Sequence, residues 1–152
     1  MITSSPGTYM LLLTLPEQTE LQIGRTRRIC FDAGLYCYAG SALGPGGLAA
    51  RLNRHAAGSK RQHWHIDYLL PFTRLLGALV IEYPRRLECY WAEWAGHHAG
   101  ACISGFGSSD CNCPSHLFWL GPSADTDRFI ARAQQDLRAR FTLRDELTKP
   151  RS

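Results

Sequence analysis

The residues best suited to chemistry gather between Leu35 and His55, where two tyrosines, an arginine and a histidine flank a glycine-rich turn. Tyr36 and Tyr38 are two apart, so a strand over residues 35–40 directs both to one face. Gly44, Pro45, Gly46 and Gly47 then let the backbone bend, and proline suits the first turn of a helix. On that helix, predicted over residues 47–57, Arg51 and His55 are i, i+4 neighbours on one face. A phenol, a guanidinium, an imidazole and a helix N-terminus meeting in one place suit a phosphate. Each feature has an ordinary alternative: strand tyrosines pack, and an Arg/His pair on a helix usually faces solvent.

A second set lies late in the chain. Cys111-x-Cys113-x-x-His116 offers three soft ligands within six positions. Zinc would need a fourth, from Cys89 or Cys102, and the spacing is tighter than the common Cys-x-x-Cys. Reduced, packed cysteines are the competing reading. His63, His65 and Asp67 also invite a metal. Two histidines and one carboxylate on a short element rarely close a site alone, so a structural or nucleic-acid-contacting role is favoured there.

Gly7-Thr8-Tyr9, Tyr38-Ala39-Gly40, then Arg51 and His55 on the first helix and Glu88 on a later one, together resemble the GIY-YIG nuclease superfamily. Three longer motifs are closer still. They are Gly40-Ser41-Ala42-Leu43-Gly44-Pro45-Gly46-Gly47-Leu48, His63-Trp64-His65-Ile66-Asp67-Tyr68-Leu69-Leu70 and Gly105-Phe106-Gly107-Ser108-Ser109-Asp110-Cys111. They resemble an uncharacterised branch that occurs alone or attached to endonuclease-III-type DNA glycosylases. The resemblance covers about residues 7–120. It implies a metal-dependent DNA endonuclease with Tyr9, Tyr38, Arg51 and His55 as catalytic residues and Glu88 as the ligand of magnesium or manganese. It also implies DNA as partner, with a DNA glycosylase or another repair protein as companion. For the superfamily's terminal asparagine the candidate is Asn112.

Composition fits that expectation without demanding it. The chain has 152 residues and a formal charge of +4, enough for one domain with a real core and mildly attractive to polyanions. Its cations fall in runs: Arg25, Arg27 and Arg28; Arg51 and Arg54; Lys60 and Arg61; Arg85 and Arg86. Arg54, Lys60, Arg61, His63 and His65 are the candidate nucleic-acid contacts beside the proposed site. The longest apolar run, Met10 to Leu13, is far below the roughly 20 residues that span a bilayer, so no membrane association is expected. Six cysteines without an export signal point to reduced thiols or a metal, and to a cytoplasmic location.

The elements that must position these residues follow from periodicity. Strands are predicted at 9–15, 21–23, 28–31, 35–40, 75–83 and 117–120, and helices at 47–57, 65–70, 85–95 and 123–144. Residues 1–6 read as a frayed lead-in. The fold class is α+β, a small mixed or antiparallel sheet flanked by helices. Residues 1–121 form the nuclease-like domain and 122–152 a C-terminal helical extension of it. The alternative function on the same fold is a non-catalytic nucleic-acid-binding module, and a third reading is a zinc-stabilised interaction domain in which the tyrosines only pack.

Overall fold

The most apolar segment, Gly7–Leu15 (β1), becomes an interior strand of the sheet. A computed structural model of the chain describes residues 2–58, 61–109 and 111–148; Lys60 and Asp110 therefore lie outside the described residues. After β1 come Thr19–Ile23 (β2), Arg27–Phe31 (β3), Gly34–Ala42 (β4), Gly47–Ala57 (α1), His65–Leu69 (α2) and Arg74–Glu82 (β5). Glu88–His98 (α3), Ala101–Cys102 (β6), Leu117–Gly121 (β7), Thr126–Leu137 (α4), Arg140–Leu143 (β8) and Arg144–Leu147 (α5) complete the order. Six strands form one antiparallel sheet in the order β6-β7-β4-β1-β5-β8, while β2 and β3 pair as a separate hairpin. The chain is thus a small α+β domain.

Alternation along β1 builds two cores. Tyr9, Leu11 and Leu13 enter one, with Tyr36 and Tyr38 of β4, Leu48 and Leu52 of α1, and Ile66 and Leu69 of α2. Met10 and Leu12 enter the other, with Trp91 and Ala95 of α3 and Ala133 and Leu137 of α4. Because β1 is paired on both edges and covered on both faces, its side chains need no polar alternation, and the run reads as continuously apolar.

Three expectations are corrected. The lead-in is not frayed from Ile2 onward: Ile2 is buried, and the carbonyls of Thr3 and Ser5 accept hydrogen bonds from Ala49 N–H (2.8 Å) and Leu48 N–H (3.0 Å). Those bonds use the first amides of α1, so the helix N-terminus is capped by chain rather than open to phosphate. Second, α3 begins at Glu88, not at residue 85. Tyr83 N–H donates to Pro6 O and Leu87 N–H to the Thr8 hydroxyl, which holds residues 83–87 alongside the start of β1.

Third, the C-terminal extension is not one helix. Arg138 adopts a left-handed conformation (φ 55°) and ends α4, after which β8 joins the edge of β5. Phe129, Ala133, Leu137 and Phe141 keep i, i+4 spacing across that break, so Phe141 reads as helical although it belongs to the strand. Gly77 of β5 lies opposite Leu143 at this pairing, and a Cβ there would strike Thr142 O and the Phe141 ring. Gly77→Ala is therefore expected to cost about 1–3 kcal/mol in urea unfolding. An uninterrupted helix over 123–144 would leave that substitution nearly neutral.

Candidate functional site

Tyr9 lies opposite Gly40 in the β1–β4 pairing, and a side chain at position 40 would overlap the Tyr9 ring. The glycine opens a space above the sheet into which the phenol extends. There Tyr9 Oη meets His55 Nε2 of α1 at 2.8 Å, both groups being buried. One turn earlier, Arg51 donates from Nη1 to Ser41 O at 2.8 Å. Its guanidinium carbon stands 4.2 Å from the centre of the Trp64 ring, and that of Arg54 stands 4.1 Å from it. Arg54 also donates to buried Asp67 (3.0 Å), whose same oxygen accepts the amides of His63 and Trp64.

Of these side chains, Tyr9, Arg51 and Trp64 line a cleft of about 320 Å³ together with Tyr38, Ser41, Arg86, Glu88, Cys111 and His116. Although α3 packs on the other face of the sheet, its first residue reaches the same cleft. Glu88 pairs with Arg86 at 3.0 Å, and its second oxygen lies 3.6 Å from His116 Nδ1. The structure thus brings together Tyr9, Tyr38, Arg51 and Glu88 around one opening, with His55 directly behind Tyr9.

Other expected contacts are placed differently. His65 accepts a hydrogen bond from Gly107 N–H at 2.9 Å and packs against Phe106, so it secures the loop before β7. Exposed His63 packs edge-on to Trp64, and Arg61 is exposed. Asn112 is exposed and is not among the cleft residues. Sequence reasoning missed three lining residues. Trp64, quoted as one residue of a family motif, is a platform for two guanidiniums. Arg86 faces Glu88. The buried Ser41 hydroxyl has no hydrogen-bond partner and lines the opening; its place directly after Tyr38-Ala39-Gly40 was the available signal.

Burial governs the protonation of the buried pair. It pushes Tyr9 up to about 12, against the lowering effect of the Arg51 guanidinium. Tyr38 is raised for the same reason, with Tyr9 and Glu88 adding to it. Burial lowers His55 to about 4, Asp67 opposing and Arg51 and Arg54 assisting. Tyr9 and His55 are therefore both neutral near pH 7, joined by a hydrogen bond rather than an ion pair.

Beside the cleft, Cys89 of α3 meets Cys111, Cys113 and His116 of the loop preceding β7. Their ligand atoms all lie within 4.8 Å of one another, a group that could hold a metal ion. His116 Nε2 is 3.4 Å from Cys111 Sγ and 3.9 Å from Cys89 Sγ. The fourth member is thus Cys89; Cys102 sits exposed on β6 and is not part of the group.

An antiparallel sheet with a charged cleft on one face and a thiol–imidazole cluster at its rim defines the class of domain. The family model described as "Domain of unknown function DUF123" matches residues 8–139, and the chain belongs to that family. No curated protein matches the chain. No solved structure matches it. Among the described residues, no helix is long and apolar enough to cross a membrane.

The buried imidazole has a consequence for stability. His55 is ordinarily near 6.5 but about 4 when folded, so the unfolded chain takes up a proton that the folded one refuses. The contribution of neutral His55 is complete above pH 6.5 and lost as pH falls through 4, by roughly 3 kcal/mol. His65, also held low by burial, adds to the same slope. The difference between wild type and His55→Gln isolates His55: unfolding free energies measured from pH 7 to pH 4 should fall less steeply in the variant. Equal slopes would show that His55 is not buried neutral.

Proposed function

We propose that this chain is a divalent-metal-dependent DNA endonuclease of GIY-YIG type, acting in repair or processing, in the cytoplasm and alongside a DNA glycosylase or another repair protein. One observation carries the reading: two tyrosines, an arginine and a glutamate from four separate elements line one cleft, with a histidine bonded to one of the phenols. Packing alone does not require that convergence.

Glu88 fits a hard cation. It is the carboxylate lining the cleft, and its side chain is 12 % exposed. Its partner Arg86 is 58 % exposed and able to swing to a phosphate. One carboxylate suffices for magnesium or manganese when waters and substrate phosphate supply the remaining oxygens. Such an ion supplies Lewis-acid charge to the phosphoryl and leaving oxygens. The thiol–imidazole cluster has the opposite chemistry, soft donors in a closed set, and suits zinc.

The protein groups divide the remaining work. Arg51, held over the Trp64 ring and anchored to Ser41 O, presents its guanidinium to the non-bridging oxygens of the scissile phosphate. The Ser41 hydroxyl offers a further donor. Tyr9 Oη orients the attacking water, and His55 Nε2 fixes the phenol. In the free protein burial holds Tyr9 up at about 12 and His55 down at about 4, so both stay neutral and the proton stays on the phenol. General-base action by Tyr9 therefore belongs to the loaded site, where phosphate charge favours an imidazolium and added positive charge favours a phenolate. On this reading Arg54, Arg61 and His63 are the further candidate DNA contacts among the described residues.

The binding-module alternative draws on two observations: the high resting pKa of both phenols and the position of Asn112 away from the cleft. Cleavage and binding separate the two. Glu88→Ala is expected to lose magnesium-dependent cleavage of nicked or branched DNA by roughly 100- to 1,000-fold while keeping low-salt affinity. Arg51→Ala should lose both and flatten the salt dependence. Wild type that binds DNA tightly but cuts nothing with magnesium or manganese establishes the binding module instead.

A further inference from the structure

We infer that Cys89, Cys111, Cys113 and His116 form a structural zinc site whose histidine positions Glu88, so that the cleft depends on two metals of different character. The second half rests on the nuclease reading; zinc binding itself does not.

The donors are gathered closely enough for one tetrahedral ion. Zn–S near 2.3 Å and Zn–N near 2.0 Å place neighbouring tetrahedral ligands roughly 3.5–3.8 Å apart. His116 Nε2 stands 3.4 Å from one sulfur and 3.9 Å from another, and all four donors lie within 4.8 Å. No disulfide uses these cysteines. Packing alone gives no reason to gather three thiols and an imidazole from segments more than twenty residues apart.

Two backbone hydrogen bonds tie together the ends of the loop carrying three of the ligands. Gly105 N–H donates to Pro114 O (2.7 Å) and His116 N–H to Phe106 O (2.8 Å). Phe106, fully buried, meets the Tyr38 ring edge-on with centroids 6.2 Å apart. The cluster therefore fastens this loop, and through it the wall beside Tyr38, to the first turn of α3.

The two ring nitrogens of His116 face different partners. Nε2 points among the sulfurs, whereas Nδ1 lies 3.6 Å from Glu88 Oε2. A metal on Nε2 fixes the ring proton on Nδ1, facing the carboxylate. The order of groups is that of a carboxylate–histidine–metal arrangement, in which the outer partner and the ligand orient one another; here the outer pair stands at 3.6 Å and closes to hydrogen-bond distance when the metal is bound. Here the outer partner is the residue assigned to the hard cation. Glu88 also directly precedes Cys89, so zinc fixes its backbone as well as one of its oxygens.

The test begins with metal analysis of protein purified without a metal-affinity tag. About one zinc per chain is expected, replaceable by cobalt with the visible bands of a tetrahedral thiolate site. Chelation or Cys113→Ser should remove the ion and lower the melting temperature. A chain that takes up neither zinc nor cobalt overturns the site.

His116→Cys tests positioning, because four cysteines still hold zinc while the imidazole beside Glu88 is gone and only Arg86 still pairs with that carboxylate. It is expected to keep zinc and its melting temperature while manganese affinity, measured by electron paramagnetic resonance, weakens about 10- to 100-fold. Zinc retained with unchanged manganese affinity overturns the positioning role. Should the variant lose zinc, the manganese affinities of zinc-bound wild type and of folded wild type stripped of zinc are compared instead, because only in the first is the ring proton fixed on Nδ1; equal affinities overturn the positioning role. Wild type that binds manganese yet cuts no DNA defeats the nuclease reading alone, and the manganese affinities still decide whether His116 positions Glu88.

Discussion

The pairing of Tyr9 with Gly40 is the constraint on which the site depends. β1 is bonded along both edges, and its register against β4 places the one missing side chain under the one ring that needs the space. A slip of one residue would turn Tyr9 to the opposite face, among Trp91 and Ala95, and bring Met10 under α1. Both cores would be lost with it. The same contacts that stabilise the sheet therefore fix which face carries the phenol. The helix bearing Arg51 and His55 has that face to pack on, through Leu48 and Leu52.

A gradient of burial then divides the cleft into two kinds of chemistry. Toward the protein interior lie Tyr9 and His55, neutral because desolvation outweighs the nearby charges. At the opening lie Arg51, Arg86 and Glu88, charged groups placed to meet a ligand. A buried neutral pair is a poor proton acceptor by itself but a stiff one, with little freedom to lose on loading. Trp64 serves the same end: by holding the Arg51 guanidinium before a ligand arrives, it lowers the entropy cost of ordering a long side chain.

Much of this was legible in the sequence, for physical reasons that vary by element. The span of α1 was readable because a glycine-rich turn and a proline mark its start and Gly58 its end. The strand carrying Tyr38 was readable from alternation. The break between α4 and β8 was not, since Arg138 takes a left-handed conformation that its residue type does not announce, while the apolar spacing runs on undisturbed. Nor could local spacing choose Cys89 over Cys102 as the fourth thiol; that depends on where α3 lands relative to the loop before β7. Trp64 shows the limit of apolar pattern: a tryptophan that packs and one that supports two guanidiniums have the same neighbours in sequence. The capping of α1 by Thr3 and Ser5 was hidden likewise, because carbonyl groups carry no sequence signature.

In the proposed function, Glu88 and Arg51 address one phosphate from opposite layers of the sheet, with a hard cation on the carboxylate and zinc on the thiols. Anomalous diffraction from crystals grown with manganese and a short nicked duplex tests this most directly, with data collected at the manganese and zinc edges. The account predicts a manganese peak bonded to Glu88, a phosphate oxygen between it and Arg51, and a separate zinc peak among Cys89, Cys111, Cys113 and His116. Manganese bound elsewhere, with DNA lying away from Arg51 and Tyr9, would contradict it.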